Sequence, residues 1–296
     1  MNLFRALLIM LALSGCQASL PPLPPWQGSE RLDHAQLGVI LDLRSGRALQ
    51  PAELIDALAE VEQILVGEQH DNRDHHALQL WLLQALQQRR AQGSLLLEML
   101  EPAQQPAVTR TRQLLAEGEE IASVQASLAW KEGWPWQLYG GLVTYALEQP
   151  YPLLAANIDR EEMLEIFRTP PVLEGTASNR PGVRQTLIEQ LRESHCGMLG
   201  DDRLPAMLAV QQQRDRRMAE ALQRAPQPSM LLAGAFHVRR DLGVPLHLQD
   251  LGSRAQVRVL LLLPAGSAVD ASMADYVWFT AAPAEQDYCA QFRSKS

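Results

Sequence analysis

The chain lacks the features that mark several functional classes. Three cysteines, Cys16, Cys196 and Cys289, are too few for a disulfide-dense scaffold. No Cys-x-x-Cys pair, His-Glu-x-x-His helix or aspartate-rich calcium loop occurs, so the common zinc and calcium signatures are absent. A Gly-x-Ser-x-Gly elbow is missing too, and with it the usual serine-hydrolase signature. Basic residues fall short of acidic ones, 26 against 34, giving a formal charge of −8. That balance argues against nucleic acid as a partner and against electrostatic adhesion to anionic lipid. Beyond the first residues no run reaches the roughly 18 apolar residues that a spanning helix requires.

What is present begins at the N-terminus. Arg5 gives a weakly basic start, and Ala6–Leu13 is an apolar run of secretory length, too short to span a bilayer. It ends in Leu13-Ser14-Gly15-Cys16, which resembles the lipobox of bacterial lipoproteins. The expectation is a signal peptide over 1–15 and a diacylated Cys16 as the mature N-terminus, since two acyl chains give stable anchoring. Removing 1–15 takes away only Arg5, so the balance becomes 25 − 34 = −9. Gln17 is not the aspartate that favours inner-membrane retention, which points to the outer membrane with the domain in the periplasm. A proline-dense stretch, Leu20–Trp26, is expected to run extended as a spacer that lifts the domain off the lipid. The implied layout is 16–34 lipidated N-terminus and linker, 35–282 a single domain and 283–296 a tail. Cys196 and Cys289 would meet an oxidising compartment, where they could pair or stay apart.

Within the domain, short apolar runs recur at 63–68, 94–99, 151–157, 229–234 and 257–263, and Val39–Leu43 starts a strand and turn. Helical spacing fills the gaps, from a start at Asp71–Asp74 to about Arg90 and near 104–117, 137–148, 161–168, 181–194 and 204–224. Runs apolar on both faces, separated by helices, predict an α/β fold. Its central sheet would be mostly parallel, about five or six strands covered by helices on both faces, with an extra helical subregion in the middle of the chain.

Ligands of such sheets usually sit beyond the C-terminal strand ends. Gly67-Glu68-Gln69-His70 closes one strand and Gly234-Ala235-Phe236-His237 another, a matched pair of Gly-x-x-His tetrads. Glycine lets the backbone turn and a ligand approach, and histidine supplies a proton carrier or ligand atom near neutral pH. Glu98 and Asn157 follow two further strands, so Glu68, His70, Glu98, Asn157 and His237 form the candidate site. His75 and His76 at the next helix start are supporting candidates or surface residues, with Arg160, Arg214 and Asp215 also in support. Trp130, Trp134, Trp136 and Tyr139 cluster in one stretch, as core packing with a lid or as a flat apolar ligand surface.

These residues carry a resemblance. Gly67–Asn72 with His75-His76, Glu98-Met99, Trp136-x-x-Tyr139, Ala155-Ala156-Asn157, His195-Cys196-Gly197, Gln211-x-x-Arg214-Asp215, Gly234–Val238 and Asp275–Phe279 occur together in consistent order. The chain resembles the ChaN family of haem-binding lipoproteins, in the wider Tiki/TraB/erythromycin-esterase-like superfamily, over roughly 35–280. The resemblance implies haem and iron uptake, with ferric haem held at a homodimer interface and each iron bound by a tyrosine phenolate. Tyr139 is the first candidate for that ligand, followed by Tyr145 and Tyr151. It also implies an outer-membrane haem receptor or a periplasmic haem carrier as partner. The alternative within the superfamily is a metal-dependent hydrolase or protease, with Glu68, His70, Glu98 and His237 holding a divalent metal or activating water.

Overall fold

The computed structural model describes residues 19–287, 289 and 290. Cys16 and the expected signal peptide lie outside them.

Elements β1 (Ile40–Asp42) and β2 (Arg47–Leu49) form a hairpin, followed by α1 (Pro51–Ala59), β3 (Gln63–Glu68), α2 (Arg73–Gln87) and β4 (Ser94–Leu97). The middle of the chain is helical: α3 (Gln105–Ala116), α4 (Val124–Ser127) and α5 (Trp136–Leu147) precede the short β5 (Leu153–Ala155), and α6 (Arg160–Arg168), α7 (Pro181–Ser194) and α8 (Leu204–Arg224) follow it. The chain then runs through β6 (Ser229–Gly234), α9 (Ala235–Val238), α10 (Val244–Asp250), β7 (Val257–Pro264) and β8 (Tyr276–Thr280).

Among the described residues eight strands form one sheet in the order β2-β1-β8-β7-β3-β6-β4-β5. The six from β8 to β5 are mutually parallel, and the β1–β2 hairpin joins β8 antiparallel at one edge. The α/β expectation therefore holds, with β8 and the α9–α10 pair added to what periodicity suggests.

The continuous apolar runs follow from the period of two along a strand. Ile64, Val66, Leu95, Leu97, Met230 and Leu232 face one helical layer, containing Leu54 and Leu58 of α1, Leu78 and Leu82 of α2 and Val143 of α5. Leu65, Leu96, Leu231, Ala233 and Leu261 face the other, with Met218 and Leu222 of α8 and Val244 and Leu248 of α10. Both faces are dry, so no position in β3, β4 or β6 is left for a polar residue until the strand ends. The turn into α2 is locally specified. Asn72 caps the helix by accepting the Asp74 N–H at 2.9 Å, and its own amide donates to the Ala281 carbonyl at 2.9 Å.

The N-terminal stretch departs from expectation. Leu20 and Trp26 pack against the α1–α2 side of the core. Trp81 Nε1 donates to the Pro21 carbonyl at 2.9 Å, and Asp74 accepts the N–H groups of Gln27 and Gly28 at 2.7 and 3.0 Å. From Leu20 onward, then, the proline-dense stretch is part of the fold, because its leucine and tryptophan gain more by burial than by solvation.

Gly67 sits where β3 meets α9. A Cβ there would lie 2.6 Å from both Leu261 Cδ2 and Val238 Cγ2 and 2.9 Å from Ala235 Cα. Gly67→Ala is expected to lower stability by about 1–3 kcal/mol in urea unfolding. Gly133→Ala, where nothing lies within 4 Å, should stay within about 0.5 kcal/mol. Equal losses at the two positions would refute this packing.

Candidate functional site

The ends of β3, β6 and β4 stand side by side, because β6 pairs with both β3 and β4 in parallel. Glu68 ends β3, Gly234 ends β6, and Glu98 follows β4. Both carboxylates are buried, at 2% exposure each. A buried carboxylate must be matched by charge and hydrogen bonds, and each of these is matched by a different set.

Glu68 collects donors from three elements. Tyr139 of α5 donates its hydroxyl to Oε1 at 2.7 Å, and Gln79 of α2 donates its amide to Oε2 at 2.7 Å. His70 Nδ1 lies 2.8 Å from Oε1. His76 Nδ1 lies 3.1 Å from Oε2, at ion-pair distance but off the hydrogen-bond direction, while its Nε2 meets the His70 carbonyl at 3.0 Å. Burial alone would raise the Glu68 carboxyl; the two imidazoles reverse this and hold it well below the usual range. The same carboxylate acts on its partners. Against the downward push of burial it raises both His70 and His76. Burial and Glu68 together push the Tyr139 phenol far above its usual range.

The second half is a linear array. His237 Nδ1 faces Asp215 Oδ1 at 2.5 Å and its Nε2 faces Glu98 Oε1 at 3.3 Å; Gln211 Nε2 lies 3.1 Å from Nδ1. Gly234 N–H donates to Glu98 Oε2 at 2.8 Å, and the Asn157 amide donates to the Glu98 carbonyl at 2.8 Å. Burial lowers an imidazole, yet the flanking carboxylates lift His237 to about 10, so it is an imidazolium at neutral pH. Burial likewise raises Glu98, but His237 brings it down to about 2. Asp215 goes upward, since burial outweighs the pull of His237. Behind it His247 is buried with both ring nitrogens unpartnered, and burial lowers its pKa.

The two halves meet at His70. Its side chain is 43% exposed, and with Nδ1 turned to Glu68 the free ring nitrogen is Nε2. A Cβ on Gly234 would approach Nε2 to 2.9 Å, so glycine keeps that nitrogen uncovered. Trp134 meets the His70 ring edge-on at 4.9 Å between centroids, and Phe236, two residues past Gly234, is 40% exposed with Arg239 over its ring.

Several sequence expectations change here. Tyr139 is fully buried with its hydroxyl committed to Glu68, so the phenol offers no open ligand position. Tyr145 donates to Gln87, the last residue of α2, roughly 20 Å along that helix from its site end. Tyr151 precedes β5 and thus lies at the opposite end of the sheet from the site. His75 and His76 are buried, not surface residues. His75 Nδ1 accepts the Gln69 N–H at 2.8 Å, its Nε2 meets Thr280 Oγ1 at 3.0 Å, and burial lowers it to about 3. Arg214 points to Met163 Sδ at 3.4 Å, and Arg160 is exposed at the start of α6; neither joins the cluster. Cys196 and Cys289 are joined by a disulfide. Gln79 is missed by the sequence reading; its signal is a polar residue one helical turn after His76 on an otherwise apolar face. Among the described residues no three His, Cys, Asp or Glu side chains are placed to hold a metal ion. They bond one another instead of converging on a shared point.

Residues 54–248 match the family described as haem-binding uptake, Tiki superfamily, ChaN. A solved structure of ChaN from Campylobacter jejuni, described with cofacial haem bound, is 27% identical, with 81% of this chain and 96% of that chain covered at a TM-score of 0.75. An effector domain of a MARTX toxin from Vibrio vulnificus is 15% identical over 81% of this chain and 39% of its own, with a TM-score of 0.46. No curated protein matches the sequence.

The Glu98–His237 pair gives a pH signature. The depressed carboxyl contributes stability above its ordinary 4.5 that is lost as pH falls through about 2. The raised imidazole contributes stability below 6.5 that is lost as pH rises through about 10. The pair's own contribution is therefore complete between about pH 4.5 and 6.5, and in the melting temperature its loss shows as a fall on the alkaline side between 6.5 and 10. Glu98→Gln, expected to cost about 3–5 kcal/mol at neutral pH, should flatten the alkaline fall between 6.5 and 10. An unchanged alkaline slope would show that this pair does not carry it.

Proposed function

The chain belongs to the haem-binding uptake family of the Tiki superfamily, ChaN, and from that premise we propose that it takes up ferric haem at the rim of the Glu68–Glu98 cluster, with His70 Nε2 as the iron ligand. The observation that carries this reading is the state of His70. It is half exposed, oriented through Nδ1 by a buried carboxylate, and free at Nε2. A carboxylate behind an imidazole fixes its tautomer and raises its basicity as a metal ligand. Trp134 beside the ring and the exposed Phe236 beyond Gly234 offer apolar faces of the kind a porphyrin requires. Bound haem would supply a Lewis-acidic iron; the chain supplies the nitrogen, its orientation and the apolar surround.

Tyr139 has a different role in this reading. A phenol that donates to a carboxylate cannot at the same time serve as a phenolate, so it supports Glu68 and through it His70. Iron and proton compete for Nε2, so binding weakens on the acid side.

The same reading places the protein in the cell envelope, held by a lipid on Cys16 at the outer membrane with the domain in the periplasm. Its motif support is Leu13-Ser14-Gly15-Cys16 followed by Gln17. The haem is held between two copies of the chain; the likeness to ChaN from Campylobacter jejuni and the outward Phe236 support that arrangement. A receptor or carrier in the envelope would deliver the cargo. A metal-dependent hydrolase gains no support from the geometry, since the donors are not arranged around a common ion.

Titration of hemin into the chain lacking residues 1–18 tests the reading. The expected result is a Soret shift with movement toward dimer. His70→Ala should weaken binding at least about tenfold, about 1.4 kcal/mol, and Tyr139→Phe should leave the shift in place. A chain that stays colourless, or a His70→Ala variant that binds as the parent does, would overturn it.

A further inference from the structure

The docked N-terminal stretch determines which side of the molecule a lipid on Cys16 can face. This inference rests on the lipid-anchoring reading above. Leu20 and Trp26 are packed against the α1–α2 side of the core, Pro21 is held by Trp81, and Gln27 and Gly28 are held by Asp74. The segment then closes onto the end of the sheet through the Glu30–Ala282 bridge. The chain from Leu20 to Glu30 is thus fixed to the domain.

Cys16 stands only four residues before Leu20. Four residues, fully extended, reach at most about 14 Å. α2 alone, at 15 residues, is roughly 22 Å long. A leash shorter than one helix of the domain cannot let the molecule turn its far side, α6 to α8, to the lipid that holds it.

The segment has the chemistry for that contact. Leu23 and Leu32 are among the few large apolar side chains exposed in the described residues, at 47% and 53%. Leu23 lies between prolines 21, 22, 24 and 25, which have no N–H to leave unsatisfied against an apolar phase. The acidic balance of the chain offers anionic headgroups no attraction, so contact has to be apolar and shallow.

We infer that the Leu20–Leu32 segment is the bilayer-facing surface of the anchored protein, seating Leu23 and Leu32 at the headgroup boundary of the membrane that holds the Cys16 lipid. The surface is an interaction site for phospholipid, and it orients the haem site relative to the membrane.

The test uses the full chain, produced with its N-terminal residues in a bacterium that processes lipoproteins and reconstituted in phosphatidylethanolamine–phosphatidylglycerol vesicles. Photoreactive benzoylphenylalanine replaces Leu23, Leu32 or Val172 one at a time; Val172, on the α6–α7 connection, is 94% exposed and serves as the remote position. Phospholipid adducts at 23 and 32 should exceed those at 172 about tenfold. Adducts equal at all three positions, or concentrated at 172, would overturn the inference. Mass spectrometry of the N-terminal peptide from the same preparation separates the two readings. An acylated Cys16 with adducts elsewhere defeats this surface alone, whereas an unmodified Cys16 defeats the anchor and the surface together.

Discussion

The site depends on one buried carboxylate. Glu68 lies at the end of a strand whose other residues are apolar on both faces, so it enters the interior only because α2, α5 and the β3–α2 loop each bring it a donor. Its charge is held by Tyr139, Gln79, His70 and His76, and in return it fixes where those four side chains point. Removing a partner would leave a charge without compensation in a dry interior, which is why one interaction can order residues spread over about seventy positions of sequence. The free nitrogen at the rim is a consequence: with Nδ1 held inward, Nε2 is left to the open side.

The neighbouring carboxylate has the opposite outcome. Glu98 is joined to an imidazolium whose other nitrogen meets Asp215, so both ring nitrogens of His237 are used inside the protein. Although the two tetrads match in sequence and in position at strand ends, only one histidine has a nitrogen to offer a ligand. His237 is better described as the charged clasp by which α9 holds the end of β4 and α8 together beneath the site.

Much of this was legible before the structure. The continuous apolar runs within Gln63–Glu68 and Ser229–Gly234 point to a parallel sheet with two covered faces, and the polar residues closing those runs mark the site end. Direction was not legible. Residue type identifies Tyr139 as a phenol near the tetrads, but only tertiary contact shows that its hydroxyl points at Glu68. Tyr145 and Tyr151 are close to Tyr139 in sequence and are carried to the other end of the sheet by α5 and by the start of β5. Composition likewise suggests a spacer in the proline-dense stretch, because proline resists helix and sheet pairing; it does not show that Leu20 and Trp26 find apolar seats on the core. β8 escapes a search for aliphatic runs because its strand signal is aromatic and β-branched.

In the proposed haem complex Glu68 leaves His70 Nε2 as the ligand of ferric iron, while Tyr139 stays a phenol. The most direct measurement is electron–nuclear double resonance on the ferric haem complex of protein carrying ¹⁵N-labelled histidine. The expected spectrum shows hyperfine coupling from one imidazole nitrogen, lost in His70→Ala. A complex with no histidine coupling and with phenolate charge-transfer bands that vanish in Tyr139→Phe would contradict it.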